Sequence, residues 1–171
     1  ASNPSPVIQE DGSVMMIFKG RAHTENGKYS DMALGIAYAP NIEGPYTVLN
    51  NDQPIFQVDG QGEAEDPFLW KDFKGYHAIF KDHVAKYTGE RGGGVMAHST
   101  DGVHWTVDKD PKAYSRAVEW EDGKVEMQGQ LERPFLFFEN GKATHAFFAT
   151  MDGPGGFENA TKSWNMVIPL K

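Results

Sequence analysis

One short grammar occurs three times along the chain, and it constrains the fold more than any other feature. Asn3-Pro4-Ser5-Pro6-Val7-Ile8 precedes Glu10-Asp11-Gly12 and then Val14-Met15-Met16-Ile17-Phe18-Lys19. Glu65-Asp66-Pro67-Phe68-Leu69-Trp70 precedes Lys74-Gly75 and then Tyr76-His77-Ala78-Ile79-Phe80-Lys81. Glu132-Arg133-Pro134-Phe135-Leu136-Phe137 precedes Glu139-Asn140-Gly141 and then Thr144-His145-Ala146-Phe147-Phe148. The three stretches align on Pro6, Pro67 and Pro134. Each reads as an apolar strand, a glycine turn and a second apolar strand, which is a hairpin. The strands are apolar at almost every position, so both of their faces are expected to be buried.

The second halves recur too. Met32 to Tyr38 is followed by Asn41-Ile42-Glu43-Gly44-Pro45-Tyr46, and Gly94 to His98 by Ser99-Thr100-Asp101-Gly102-Val103-His104-Trp105. Each predicts a third strand, a tight turn and a fourth strand, with Asp101-Gly102 supplying the turn and Trp105 capping it. The third unit retains Ser163 to Ile168 as a later strand. No segment carries a convincing helical period. Glu119 to Gln130 can form a helical turn, which Gly123 and Gly129 weaken. Four short strands per unit is the mark of propeller blades. The expected class is therefore all-β, a β-propeller, with blades at about 3–60, 61–128 and 129–171. A β-sandwich with coincidental hairpins is the alternative. Three blades do not close a ring of ~4–8, so self-association or a missing N-terminal portion is expected to complete it.

Composition excludes several classes. Sixteen basic against 24 acidic residues, a net charge of -8, argues against a nucleic-acid partner and against an anionic membrane surface. With no cysteine, disulfides, thiol nucleophiles and cysteine-ligated zinc are ruled out. No run approaches the ~18 apolar residues of a membrane helix. Gly92-Gly93-Gly94 lacks the Lys-Ser/Thr that a phosphate loop needs.

Glu65-Asp66-Pro67 resembles the blade-opening "xDP" motif of the five-bladed β-propeller glycoside hydrolases, the group of families 43 and 62 with their relatives 32, 68 and 117. Glu132-Arg133-Pro134 resembles their "EGP" or "ECP" motif. Ser99 to Trp105 and Ile42 to Tyr46 look like their outer hairpins. The resemblance implies three carboxylates at a central funnel: a base or nucleophile, an Asp that tunes pKa and orients the sugar, and a Glu general acid. Asp66 matches the second and Glu132 the third. Glu65 is the rival of Asp66 as the funnel-facing residue. The first has no match in Asn3-Pro4-Ser5-Pro6, so the base is expected upstream of Ala1.

Glycosidic cleavage needs a proton donor for the leaving oxygen and a carboxylate across the sugar. A Glu acid must have its pKa raised by burial or by a nearby negative charge, for which Asp66 is the candidate. Arg133 neighbours Glu132 and should point to the opposite strand face; sugar binding is its other possible role. Lys81 and Arg21, at strand ends, and His83 are candidates for binding sugar, with an acidic sugar suiting the cations. Lys19 lies similarly but reads as a solvated lysine. His77 and His145 occupy equivalent positions and suggest core or interblade hydrogen bonds. Trp70, Trp120 and Phe73 are possible stacking platforms, with packing favoured for Trp70, whereas Trp105 and Trp164 read as structural.

The sequence thus points to a glycoside hydrolase, or part of one, acting on a plant or algal polysaccharide or oligosaccharide and secreted or periplasmic. The competing readings are a non-catalytic carbohydrate-binding propeller and a sialidase-like propeller, which would need an arginine triad and a Tyr nucleophile that are not evident. No cofactor or catalytic metal is expected. A structural calcium occurs in some relatives, and no dedicated ligand cluster for one is visible.

Overall fold

The computed structural model describes every residue except 22, 24, 29, 50–52, 57–62, 154 and 171. Its first sheet is built from β1 (Ser2–Ile8), β2 (Val14–Gly20), β3 (Ala33–Ala39) and β4 (Thr47–Val48). The second has β5 (Ala64–Asp72), β6 (Gly75–Asp82), β7 (Gly93–Ser99) and β8 (Thr106–Tyr114). A short ribbon, β9 (Ala117–Glu119) with β10 (Val125–Met127), leads to the third: β11 (Gln130–Glu139), β12 (Lys142–Met151) and β13 (Ser163–Pro169). In the three larger sheets each strand pairs antiparallel with the next in sequence. The described residues contain no helix.

β5, the first strand of the second sheet, touches both neighbouring sheets, meeting β1, β2 and β3 on one side and β11 on the other. Ile17, Leu34 and Ile36 of the first sheet pack with Leu69, Phe80, Val95 and Ala97 of the second. Leu131, Ala146, Phe148 and Met166 of the third sheet form another core with Val118 and Tyr114. Face-to-face packing of four-stranded meanders is how propeller blades bury their apolar strands.

Several expectations need correction. Both faces are covered along most of β5, β6 and β7, but β11 to β13 alternate, leaving Phe135, Phe137, Phe147 and Val167 exposed. Glu119 to Gln130 forms the β9–β10 ribbon rather than a helical turn, with Gly123 at φ 79 in its tip. The fourth strand of the first unit is only Thr47–Val48, beyond the Ile42–Tyr46 segment.

The alignment of the repeats also shifts. Each first strand carries a bulge at one place: pairing breaks between Ser2 and Ser5, Glu65 and Phe68, and Glu132 and Phe135. Asn3, Asp66 and Arg133 sit in these bulges at φ 52, 52 and 55, and each precedes a proline. The equivalent prolines are therefore Pro4, Pro67 and Pro134. Pro6 lies two positions on, already back in regular pairing with Met16. A left-handed backbone on three non-glycine residues is costly, on the order of 1–3 kcal/mol each, and such strain clusters at functional sites.

Candidate active site

The three bulges bring the strand openings together. A bulge breaks the two-residue alternation of a strand, so consecutive residues can face one side. That is how Glu65 and Asp66 are both buried, at 9% and 2% exposure. Both rivals therefore lie buried at the strand opening, with different partners.

Asp66 is clamped by its equivalents in the neighbouring sheets. Its carboxylate accepts from the Asn3 side-chain amide, from the Arg133 backbone N–H at 3.1 Å and from Arg133 Nε at 3.0 Å. Arg133 thus turns toward Asp66 instead of the opposite face, because its left-handed φ resets the strand alternation. Its own side chain remains two-thirds exposed.

Lys81 lies directly across from Glu65 on β6. Its Nζ donates to Glu65 Oε1 at 2.9 Å and to Glu132 Oε1 at 2.6 Å, joining the second and third sheets. The side chain is 3% exposed. Burial works against its charge, but Glu132 and then Glu65 outweigh burial and hold the ammonium above its ordinary pKa. Lys19, which occupies on β2 the place that Lys81 occupies on β6, reaches Glu65 Oε2 at 3.0 Å. It is an ion-pair partner rather than a solvated lysine.

His83 follows β6 and places Nδ1 3.1 Å from Glu65 Oε1 and Nε2 3.5 Å from Glu63 Oε2. Arg21 donates to Glu63 Oε1 at 3.1 Å. Burial raises the Glu65 pKa, yet hydrogen bonds from His83, Lys81 and Lys19 outweigh it, so Glu65 stays ionised well below the usual carboxylate range. An anion so fully engaged is an organiser, not a proton donor.

Glu132 is the opposite case. Burial raises its pKa first, a hydrogen bond with Asp66 raises it further, and Lys81 pulls it back only in part. Burial and the neighbouring carboxyl favour the protonated form of Glu132, and Lys81 the ionised one. Two carboxyls in one buried site, one driven down and one up, is the pattern that separates an anion from an acid.

Cavities open on both sides. About 530 Å³ lies against Glu132 and Arg133, walled by Phe157, Trp164 and Asn165. Another, about 620 Å³, lies beside Glu65 and is lined by Lys19, Arg21, His23 and His83. Trp164 therefore faces the Glu132 cavity and is not only a packing residue. Trp70 packs as expected, against Phe68, His77 and Phe138. Trp120 and Phe73 are exposed and line neither cavity. His77 bonds Asp72, and His145 bonds Thr144, each within its own hairpin; neither bond links two sheets. Among the described residues no group of three or more His, Asp or Glu is placed to hold a metal ion.

Sequence reasoning missed Asn3 and Glu63. Asn3 was detectable, because Asn3-Pro4 repeats the residue-before-proline of Asp66-Pro67 and Arg133-Pro134. Glu63 precedes the motif and carried no signal.

No family model and no curated protein sequence matches the chain. Solved structures do. The GH32 β-fructofuranosidase of Bombyx mori aligns with 98% of this chain at TM-score 0.59 and 15% identity. A glycoside hydrolase aligns over 98% at 0.62 and 12%, and the BT0996 RGII complex over 98% at 0.63 and 12%. The present protein spans 33% of the first structure and 45% of the other two. It has the all-β propeller fold of glycoside hydrolases.

Proposed function

We propose that the chain carries the acid half of a glycoside hydrolase site. Glu132 protonates the leaving glycosidic oxygen, and Asp66 keeps it protonated until then. The observation that carries this is a buried Glu132 beside the buried Asp66 carboxyl, with Glu132 lining a cavity. As the proton leaves, Lys81 at 2.6 Å stabilises the resulting carboxylate, and Asn3 and Arg133 hold Asp66 in place. Trp164 and Phe157 offer apolar faces on which a sugar ring can stack. The base is proposed to come from sequence beyond these 171 residues, since the chain spans under half of the propeller structures it resembles.

The substrate is proposed to be a carbohydrate bearing a carboxylate or sulfate. The oxygens of Glu65 and Glu63 are already engaged, whereas Lys19 and Arg21 have N–H groups beyond those used in their ion pairs. The cavity beside them therefore offers mainly donors. A second reading, a carbohydrate-binding propeller without catalysis, is favoured by one observation: an amide, Asn3, stands where Asp66 stands in the next sheet.

Glu132→Gln in the full-length protein tests the first reading. The loss should be about 10²–10⁴-fold for poor leaving groups, and smaller for activated aryl glycosides that need no proton. Full activity in this variant would remove Glu132 from the mechanism. Sugar binding without cleavage by the wild type would establish the second reading.

A further inference from the structure

Glu65 pairs across β5–β6 with Lys81, Lys81 across β6–β7 with Gly94, and Gly94 across β7–β8 with Tyr114. Residues paired in this way project from the same face. The four therefore form a row running from the carboxylate site to the outer strand, and the row has a gap at Gly94. The Tyr114 ring fills that gap. A Cβ on residue 94 would stand 2.0 Å from Tyr114 Cδ1 and 2.1 Å from Cε1, so only glycine lets the ring lie across β7. On the other side the ring meets Phe148 edge-on at 4.8 Å. Phe148 adjoins Ala149, the pairing partner of Glu132. The ring is thus wedged between the second and third sheets at the level of the site.

Its hydroxyl oxygen is buried and has no hydrogen-bond partner among the described residues. A buried polar group left unpaired costs about 1–3 kcal/mol, and phenylalanine would fill the same gap without that cost. Such an exception asks for a partner that forms at another stage. The nearby anions are the site's own: after burial, Asp66, Glu132, Glu65 and Glu90 act in that order to hold the phenol protonated. It therefore remains a donor at any working pH.

We infer that Tyr114 is a positioning residue for Glu132, a hydroxyl donor held against the Asp66–Glu132 pair that takes up the negative charge left when Glu132 loses its proton. The other groups acting on Glu132 are Lys81 from β6 and Asp66 from β5, with Glu65 reached through the shared Lys81 and Arg133 through Asp66. Lys19 and His83 act on it through Glu65. Lys81 already neutralises one oxygen of the carboxylate, and Tyr114 would serve the charge that the pair shares with Asp66.

The test is Tyr114→Phe in the full-length protein, with the Glu132 carboxyl titrated directly by carbon-13 NMR and assigned through Glu132→Gln. Loss of a donor to the anion should raise the Glu132 midpoint by about one pH unit, the equivalent of one charge-assisted hydrogen bond, with no loss of thermal stability. Replacing Tyr114 by a fluorotyrosine, a stronger donor, should move the midpoint down. An unchanged midpoint in both folded variants overturns the inference, as does a downward shift in Tyr114→Phe. Only an activity arm, an upward move of the high-pH limb of kcat/KM, rests on the hydrolase reading. A protein that shows the NMR shift and cleaves no glycoside keeps the inference and loses the hydrolase.

Discussion

Removing Lys81 should destabilise this protein strongly. Its Nζ touches Glu65 at 2.9 Å and Glu132 at 2.6 Å, and its side chain is 3% exposed. In Lys81→Met the stem is replaced at similar volume, so the lost packing is small. Glu65 keeps Lys19 and His83, but Glu132 loses the cation in contact with it. Breaking a buried ion pair by deleting one partner costs about 3–5 kcal/mol. At about 2–4 °C per kcal/mol for a domain of this size, Tm should fall by about 6–20 °C at pH where Glu132 is ionised.

The pH dependence has a definite sign. The folded Glu132 pKa is already raised above its unfolded value, and without Lys81 it rises further. A carboxyl with a raised folded pKa stabilises the fold while protonated and loses that contribution as pH rises through the window between the unfolded and folded values. The deficit of Lys81→Met is therefore full at pH above the folded Glu132 value and shrinks as pH falls through it toward the usual carboxylate range. Urea or thermal unfolding at several pH values reads this directly. A variant within about 2 °C of wild type at every pH up to the alkaline end of the folded range would show that Lys81 does not compensate the two glutamates. A deficit independent of pH would show that the loss is packing.

Other consequences follow from single contacts. Asp82 is fully buried and accepts the backbone N–H groups of Lys86, Tyr87 and Thr88 at 2.8–2.9 Å; Asp82→Ala should cost about 3 kcal/mol or more and speed tryptic cleavage after Lys86 and Arg91. Gly94→Ala should displace the Tyr114 ring and cost about 1–3 kcal/mol, and a thermal melt should show part of this recovered when Tyr114 is also shortened to Ser. Asp66→Asn should move the high-pH limb of the rate profile downward, because the charge and hydrogen bond that raise Glu132 are lost; an unmoved limb would detach Asp66 from the acid.

The strands and turns were legible in the residues alone, because apolar runs and glycine turns act locally and recur three times. Asp66 and Glu132 were marked as well, since a carboxylate beside a strand-opening proline is visible in any register. Arg133 shows where local reasoning ended: ordinary strand alternation sends it away from Glu132, and only the left-handed bulge turns it onto Asp66. Lys19 reads as a surface lysine until the second sheet brings Glu65 to it. The proline alignment slipped by two because Pro4 and Pro6 both fit the pattern, and only cross-strand pairing chooses between them. Ionisation likewise had to wait for the packed sheets. Glu65 and Glu132 have the same side chain at equivalent strand positions, yet two lysines and a histidine converge on the first, whereas burial and Asp66 surround the second. Charge acts through space over a few ångströms, and the neighbours that set it come from three different sheets.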